Sequence, residues 1–140
     1  MAGHDDERTR IEVQERREAP VIDRANREAK EPPYVIRFHG QADGAKTPFD
    51  GRYLVSYDPE HDGEDPWGRP MMARVEATED PEAAKHYPSQ PAAWAEWKRQ
   101  CRRQPTRPWD GRPNRPLTAF TIEVMSLRVA REDEQMKLQG

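Results

Sequence analysis

Met71-Met72-Ala73-Arg74-Val75-Glu76-Ala77-Thr78 is the stretch that decides the fold. Met71, Ala73, Val75 and Ala77 alternate with Met72, Arg74, Glu76 and Thr78. A period of two puts one set on each face of a strand, so the sheet has one packed and one wet face. Upstream, Tyr34, Ile36 and Phe38 alternate with Val35, Arg37 and His39, and Tyr53, Val55 and Tyr57 share one face of a second strand. Between them, Gly40 to Gly51 is rich in Gly, Asp and Pro and reads as a loop. Downstream, Phe120, Ile122 and Val124 predict a fourth strand.

Helical signals separate the third and fourth strands. Asp80-Pro81-Glu82 combines a capping Asp, a proline at the first helical position and a carboxylate in the first turn. Ser89 caps a longer helix over about 90–104. Its buried stripe is Ala93, Trp94, Trp97 and Cys101, and Pro105 stops it. The order is β-β-β-α-β: an α+β domain, a small antiparallel-rich four-stranded sheet with one helix packed on one face and charged arms at both ends. The first three strands form two hairpins. The helix returns the chain so that the fourth strand runs parallel to the third. Trp94 and Trp97 cap the apolar face.

Length and composition fit this plan. The 140 residues suit one domain with tails, and 35% charged residues are too many for a core along the whole chain. Residues 1–31 read as a charged N-terminal arm, helical or disordered. Residues 32–127 are the folded domain, and 128–140 a charged C-terminal tail. Nothing resembles a signal peptide, and no apolar run approaches the roughly 20 residues of a membrane span. The expected compartment is the cytoplasm, with no membrane partner. Cys101 is the only cysteine, which excludes an intrachain disulfide and a multi-cysteine metal site. Arginine outnumbers lysine 18 to 5 and prolines number 14, a bias that points to a GC-rich genome.

Charge is segregated within a chain of net charge −3. Lys98, Arg99, Arg102, Arg103, Arg107, Arg112 and Arg115 face only Asp110 across the segment 98–115. Asp58 to Asp65 reads DPEHDGED, five acids without a Lys or Arg. A turn pattern also recurs: Phe49-Asp50-Gly51-Arg52, Trp67-Gly68-Arg69 and Trp109-Asp110-Gly111-Arg112. Turn chemistry explains it, with the aromatic tucked under the loop. The topology above puts Trp67 and Trp109 at one end of the sheet, beside the acidic loop, and Phe49 at the other. Self-neutralisation of the basic segment by that loop is then the structural alternative to a binding role.

Two binding readings remain. In the first, Trp67, Arg69, Trp109 and Arg112, with the helix C-terminus beside them, bind a protein partner or a second copy of the chain, since Arg and Trp are enriched at interface hot spots. In the second, the same arginines hold nucleic acid, with Trp109 stacking on a base. Arg102-x-x-Pro105-x-x-Pro108 matches the proline-rich pattern read by SH3-like grooves, a pattern common by chance in such sequence. Asp58, Glu60, Asp62 and Gly63 mimic the start of an EF-hand loop, but Arg69 stands where that loop needs Glu. His39, His61 and His86 are scattered without metal-ligand spacing. No phosphate loop or nucleophile elbow is present. No cofactor or metal is expected, and the protein reads as non-enzymatic.

The segments Phe49–Val55, Asp80–Lys85 and Arg112–Phe120 resemble short uncharacterised proteins of actinobacteria and their phages and plasmids. The resemblance covers under half of the chain and implies no assigned activity. It implies a small accessory protein, for example one with which a phage binds and redirects a host factor.

Overall fold

A computed structural model describes residues 31–139. The arm expected over 1–31 lies, apart from Glu31, outside the described residues. Among the described residues there are six strands: β1 Tyr34–Gln41, β2 Tyr53–Asp58, β3 Gly63–Glu64, β4 Pro70–Met71, β5 Arg74–Thr78 and β6 Phe120–Ser126. The helices are α1 Gln90–Trp97 and α2 Leu127–Gln139, with short 3-10 turns at Pro81–Ala83 and Pro116–Ala119. The main sheet is antiparallel throughout, in the order β5-β2-β1-β6, and β3 and β4 form a separate two-stranded ribbon. This is the α+β architecture expected, with the ribbon and a second helix added.

The decisive stretch is divided. Pro70–Met71 pairs with Gly63–Glu64, while Arg74–Thr78 pairs with β2. The alternation survives the division: Ala73 is buried, Val75 and Ala77 half-buried, and Arg74 and Glu76 exposed. In β2 the alternation breaks. A register shift between Leu54 and Ser56 sends Tyr53 to one core and Leu54 and Tyr57 to the other. Tyr53, Val55 and Tyr57 therefore do not share a face, because one extra residue flips the alternation.

The fourth sheet strand also departs from expectation. β6 pairs antiparallel with β1, from Tyr34 opposite Ser126 to Gln41 opposite Phe120. It therefore runs opposite to β5 and sits on the far side of the sheet. The connection from β5 crosses two strands rather than returning beside the third.

One face of the sheet carries α1. Ser89 caps that helix by accepting the Ala92 N–H at 3.2 Å, and Asp80 caps the preceding 3-10 turn through the Glu82 N–H. Ala93 and Trp97 are buried against Ile36, Phe38, Leu117, Phe120, Ile122 and Val124. The Trp97 indole donates to the Phe120 carbonyl at 3.0 Å, and Trp94 meets Trp97 edge-on at 5.5 Å. The helix ends at Trp97, short of 104, because the backbone beyond it finds other partners. The Cys101 N–H goes to the Asn114 carbonyl, and the Arg102 and Arg103 N–H groups go to the Glu60 carboxylate.

The opposite face is covered as well. Residues expected as a charged tail form α2, whose Leu127, Val129 and Ala130 pack on Val35, Tyr53, Ala84 and Met125. Its charged residues are bonded to the rest of the domain. Arg37 bridges the buried Glu123, at 3.0 and 3.1 Å, to Asp133 at 3.1 Å. The Tyr53 hydroxyl donates to Glu134 at 2.7 Å, and Arg131 pairs with Glu82. The sheet is thus dry on both faces where helices cover it. Among the described residues no helix is long and apolar enough to cross a membrane.

Candidate functional site

Two turns, each with an aspartate cap and a glycine, flank one pocket. In the ribbon turn, Asp65 Oδ1 accepts the N–H groups of Trp67 at 3.0 Å and Arg69 at 2.8 Å, and Gly68 supplies a φ of 82°. In the second turn, Asp110 Oδ1 accepts the Arg112 N–H at 3.0 Å, and Gly111 supplies a φ of 70°. Positive φ is cheap only for glycine, so each turn is fixed by its Asp-and-Gly chemistry. An arginine stacks on each tryptophan: Arg69 lies 5.0 Å from the Trp67 ring centre and Arg107 5.6 Å from that of Trp109.

The third copy of the pattern behaves differently. Asp50 accepts from the Thr47 N–H and hydroxyl, and Gly51 has a φ of 80°. Its aromatic, Phe49, tucks inward against Phe38 at 5.2 Å and Phe120 at 6.0 Å. Turns that share an Asp and a positive-φ Gly thus leave one aromatic packed on the core and two exposed: Phe49 is half-buried, whereas Trp67 is 45% exposed and Trp109 69%. Phe49 is not at the opposite end from the tryptophans. Its neighbour Phe120 also lines the pocket between them, as the antiparallel placement of β6 requires.

The pocket has a volume of about 490 Å³. Trp67, Met71, Met72 and Trp109 form apolar walls, and Phe120 joins them. Arg107 and Arg115 line it too. One wall belongs to the ribbon and the other to residues 105–119, two segments that sequence separates by dozens of positions. The second segment is organised by Asn114, which is buried. Its side chain donates to the Gln104 carbonyl at 3.0 Å and its backbone N–H to the Pro105 carbonyl at 2.9 Å, while Thr106 and Pro113 form an isolated bridge.

The acidic and basic segments meet. The Glu60 carboxylate accepts the N–H groups of Arg102 and Arg103, both at 2.7 Å, and the Arg103 guanidinium reaches Asp62 at 2.7 Å. These bonds, the Arg102 N–H first, hold the Glu60 carboxyl below its ordinary range, and the Arg103 guanidinium does the same for Asp62. The clasp works mainly on backbone, so one acid fixes two residues of the loop. Asp58 is engaged by the Glu60 N–H and by His61 at 2.6 Å, so the acids that mimic an EF-hand start hold separate partners.

The expected site residues fall into three groups. Trp67, Arg107, Trp109 and Arg115 come together around the pocket, with Arg69 stacked behind Trp67. Arg99 stays exposed but lies over Tyr57, donating to the Tyr57 carbonyl and sitting 5.0 Å from its ring centre, while the Tyr57 hydroxyl donates to the Arg99 carbonyl at 2.9 Å. Arg103 is held by Asp62. Lys98, Arg102 and Arg112 do not line the pocket.

Sequence reasoning missed Met72, Phe120 and Asn114 as parts of the site. The first two carried strand signals only, and Asn114 carried no signal beyond its place between prolines. Cys101 is buried, and its sulfur accepts the Gln104 N–H at 3.2 Å. Among the described residues no group of three or more His, Cys, Asp or Glu side chains is arranged to hold a metal ion. Comparison with family models, curated proteins and solved structures finds no match for this chain.

Proposed function

We propose that this protein is a non-enzymatic interaction module that binds a protein partner at the Trp67–Trp109 pocket. The observation that carries the reading is the contrast among the three turns. Exposing two large indoles costs apolar hydration that the Phe49 turn avoids, and exposed indoles around a concave apolar site are what a protein hot spot uses. Protein is favoured over nucleic acid because much of the charge that phosphates would need is engaged within the chain. Arg99, Arg103 and Arg107 are held by Tyr57, Asp62 and Asp110. A cytoplasmic, phage- or plasmid-related accessory role belongs to the same proposal and rests on the resemblance of Phe49–Val55, Asp80–Lys85 and Arg112–Phe120.

The test is affinity capture from an actinobacterial lysate, with and without nuclease, at two salt concentrations. It uses the full chain and its Trp67→Ala/Trp109→Ala variant. The expected result is a stoichiometric protein that survives nuclease and is lost with the variant. Nucleic acid alone, released at the higher salt, would transfer the assignment to the nucleic-acid alternative. A protein captured equally by the variant would remove the pocket from the account.

A further inference from the structure

We infer that the pocket receives a partner segment presenting a carboxylate beside an apolar side chain, with Arg115 holding the carboxylate; this rests on the interaction reading above. The guanidiniums near the pocket are not equivalent. Arg69 is held by Asp65 at 2.9 Å, and Arg107 by Asp110 at 3.0 Å. The Arg115 side chain has no ion pair or hydrogen bond among the described residues, and its Nε is buried with no partner. Buried donors in folded proteins are almost always bonded, and a charged one is costly to leave unmade. An unmet guanidinium lining an apolar pocket is therefore the feature that selects a ligand.

Its backbone is already fixed. The Arg115 carbonyl accepts the Thr118 N–H at 3.0 Å and the Thr118 hydroxyl at 2.7 Å, and the residue before it is the buried Asn114. The planar guanidinium fork on that fixed backbone loses less freedom per hydrogen bond than an ammonium would when it engages a carboxylate. Asp65, the acid that lines the pocket, is consumed by Arg69 and by the Trp67 and Arg69 N–H groups. It does not answer Arg115.

The apolar walls set the rest of the ligand. Trp67, Met71, Trp109 and Phe120 offer contact area that a free anion would leave unused. A polyanion would need several unmet cations in a row, whereas the neighbouring arginines are engaged. One carboxylate attached to one apolar side chain matches one unmet guanidinium in a pocket lined by two indoles.

The experiment selects binders from a random-peptide library on the immobilised full chain. The best peptide is then synthesised with Glu, Gln or phosphoserine at its acidic position. Affinity is read by calorimetry for wild type, Arg115→Gln, Arg115→Lys and Trp67→Ala/Trp109→Ala. Selected peptides should carry Asp or Glu next to an apolar residue. Exchanging Glu for Gln should weaken binding roughly tenfold to hundredfold on wild type, and no more than about threefold on Arg115→Gln. Arg115→Lys should restore part of the preference.

An undiminished Glu-to-Gln loss on Arg115→Gln, or no enrichment of acids, overturns this inference and leaves the interaction reading standing. Failure to select any peptide, or binding indifferent to both tryptophans, overturns both. An oligothymidylate that binds through Arg115 while acidic peptides do not overturns it in favour of nucleic acid. If Arg115→Gln does not fold, the Arg115 Nε–H resonance of wild type decides. It should shift with the Glu peptide and not with the Gln peptide, and the reverse would refute the assignment.

Discussion

A methyl group on Gly63 would sit 2.6 Å from the Ala73 carbonyl oxygen and 2.9 Å from Arg74 Cα. Both are backbone atoms and cannot swing aside. Gly63 therefore lets the ribbon lie against the start of β5, and the ribbon carries Trp67. Gly63→Ala should destabilise the fold by about 1–3 kcal/mol and alter Trp67 emission, as urea unfolding followed by fluorescence would show. At the opposite face, Glu123 is 1% exposed and bound by Arg37. Arg37→Met leaves that buried carboxylate with only His39 Nδ1, at 3.1 Å, as an ion-pair partner. It should cost roughly 3–5 kcal/mol, most of it recovered in Arg37→Met/Glu123→Leu, again by chemical denaturation. At this scale the caps were legible, since Asp80 and Ser89 bond within three residues of themselves. Gly63, Asn114 and Arg37 were not, because their roles depend on what lies across from them in space.

Elements follow the same division. β1 and the apolar face of β6 were legible from alternation alone, whereas β2 hid a bulge that no local pattern marks. Cys101 fits the helical stripe of α1 by spacing, yet the helix stops before it because the Glu60 clasp and Asn114 offer that backbone better partners. α2 has the composition of a charged tail, with few apolar residues to support it. Its acids and arginines find Arg37, Tyr53 and Glu82, which lie far away in sequence. The clasp has a pH signature. The folded state holds the carboxyls of Glu60 and Asp62 below their ordinary range, so the unfolded chain binds those protons first. Their contribution is complete above the unfolded values of about 4 and is lost as pH falls through the lower folded values. Melting temperature should therefore fall on acidification below about pH 4, and the gap between wild type and Glu60→Ala should narrow there. A gap that stays constant down to pH 2 would show that the clasp contributes no stability.

For the whole molecule, the sheet is a scaffold between two helices that holds two tryptophan turns at one end. The fold class was legible because it depends on patterns within each element. The strand order was not: the position of β6 beside β1 depends on which sheet edge the 79–119 crossover reaches, and no residue in that crossover announces it. Trp67 lies beside Trp109 although the fourth strand is not parallel to the third, so the expected topology is not what joins them. What unites them is the ribbon on one side and the Asn114-organised loop on the other. The most direct measurement of the central claim is the indole N–H spectrum of the uniformly ¹⁵N-labelled chain, titrated with the peptide selected on it. The four tryptophans give four indole signals. The account predicts that those of Trp67 and Trp109 shift together and saturably, while that of Trp97, buried and bonded to the Phe120 carbonyl, stays in place. Movement of the Trp94 and Trp97 signals with Trp67 and Trp109 unmoved would contradict it.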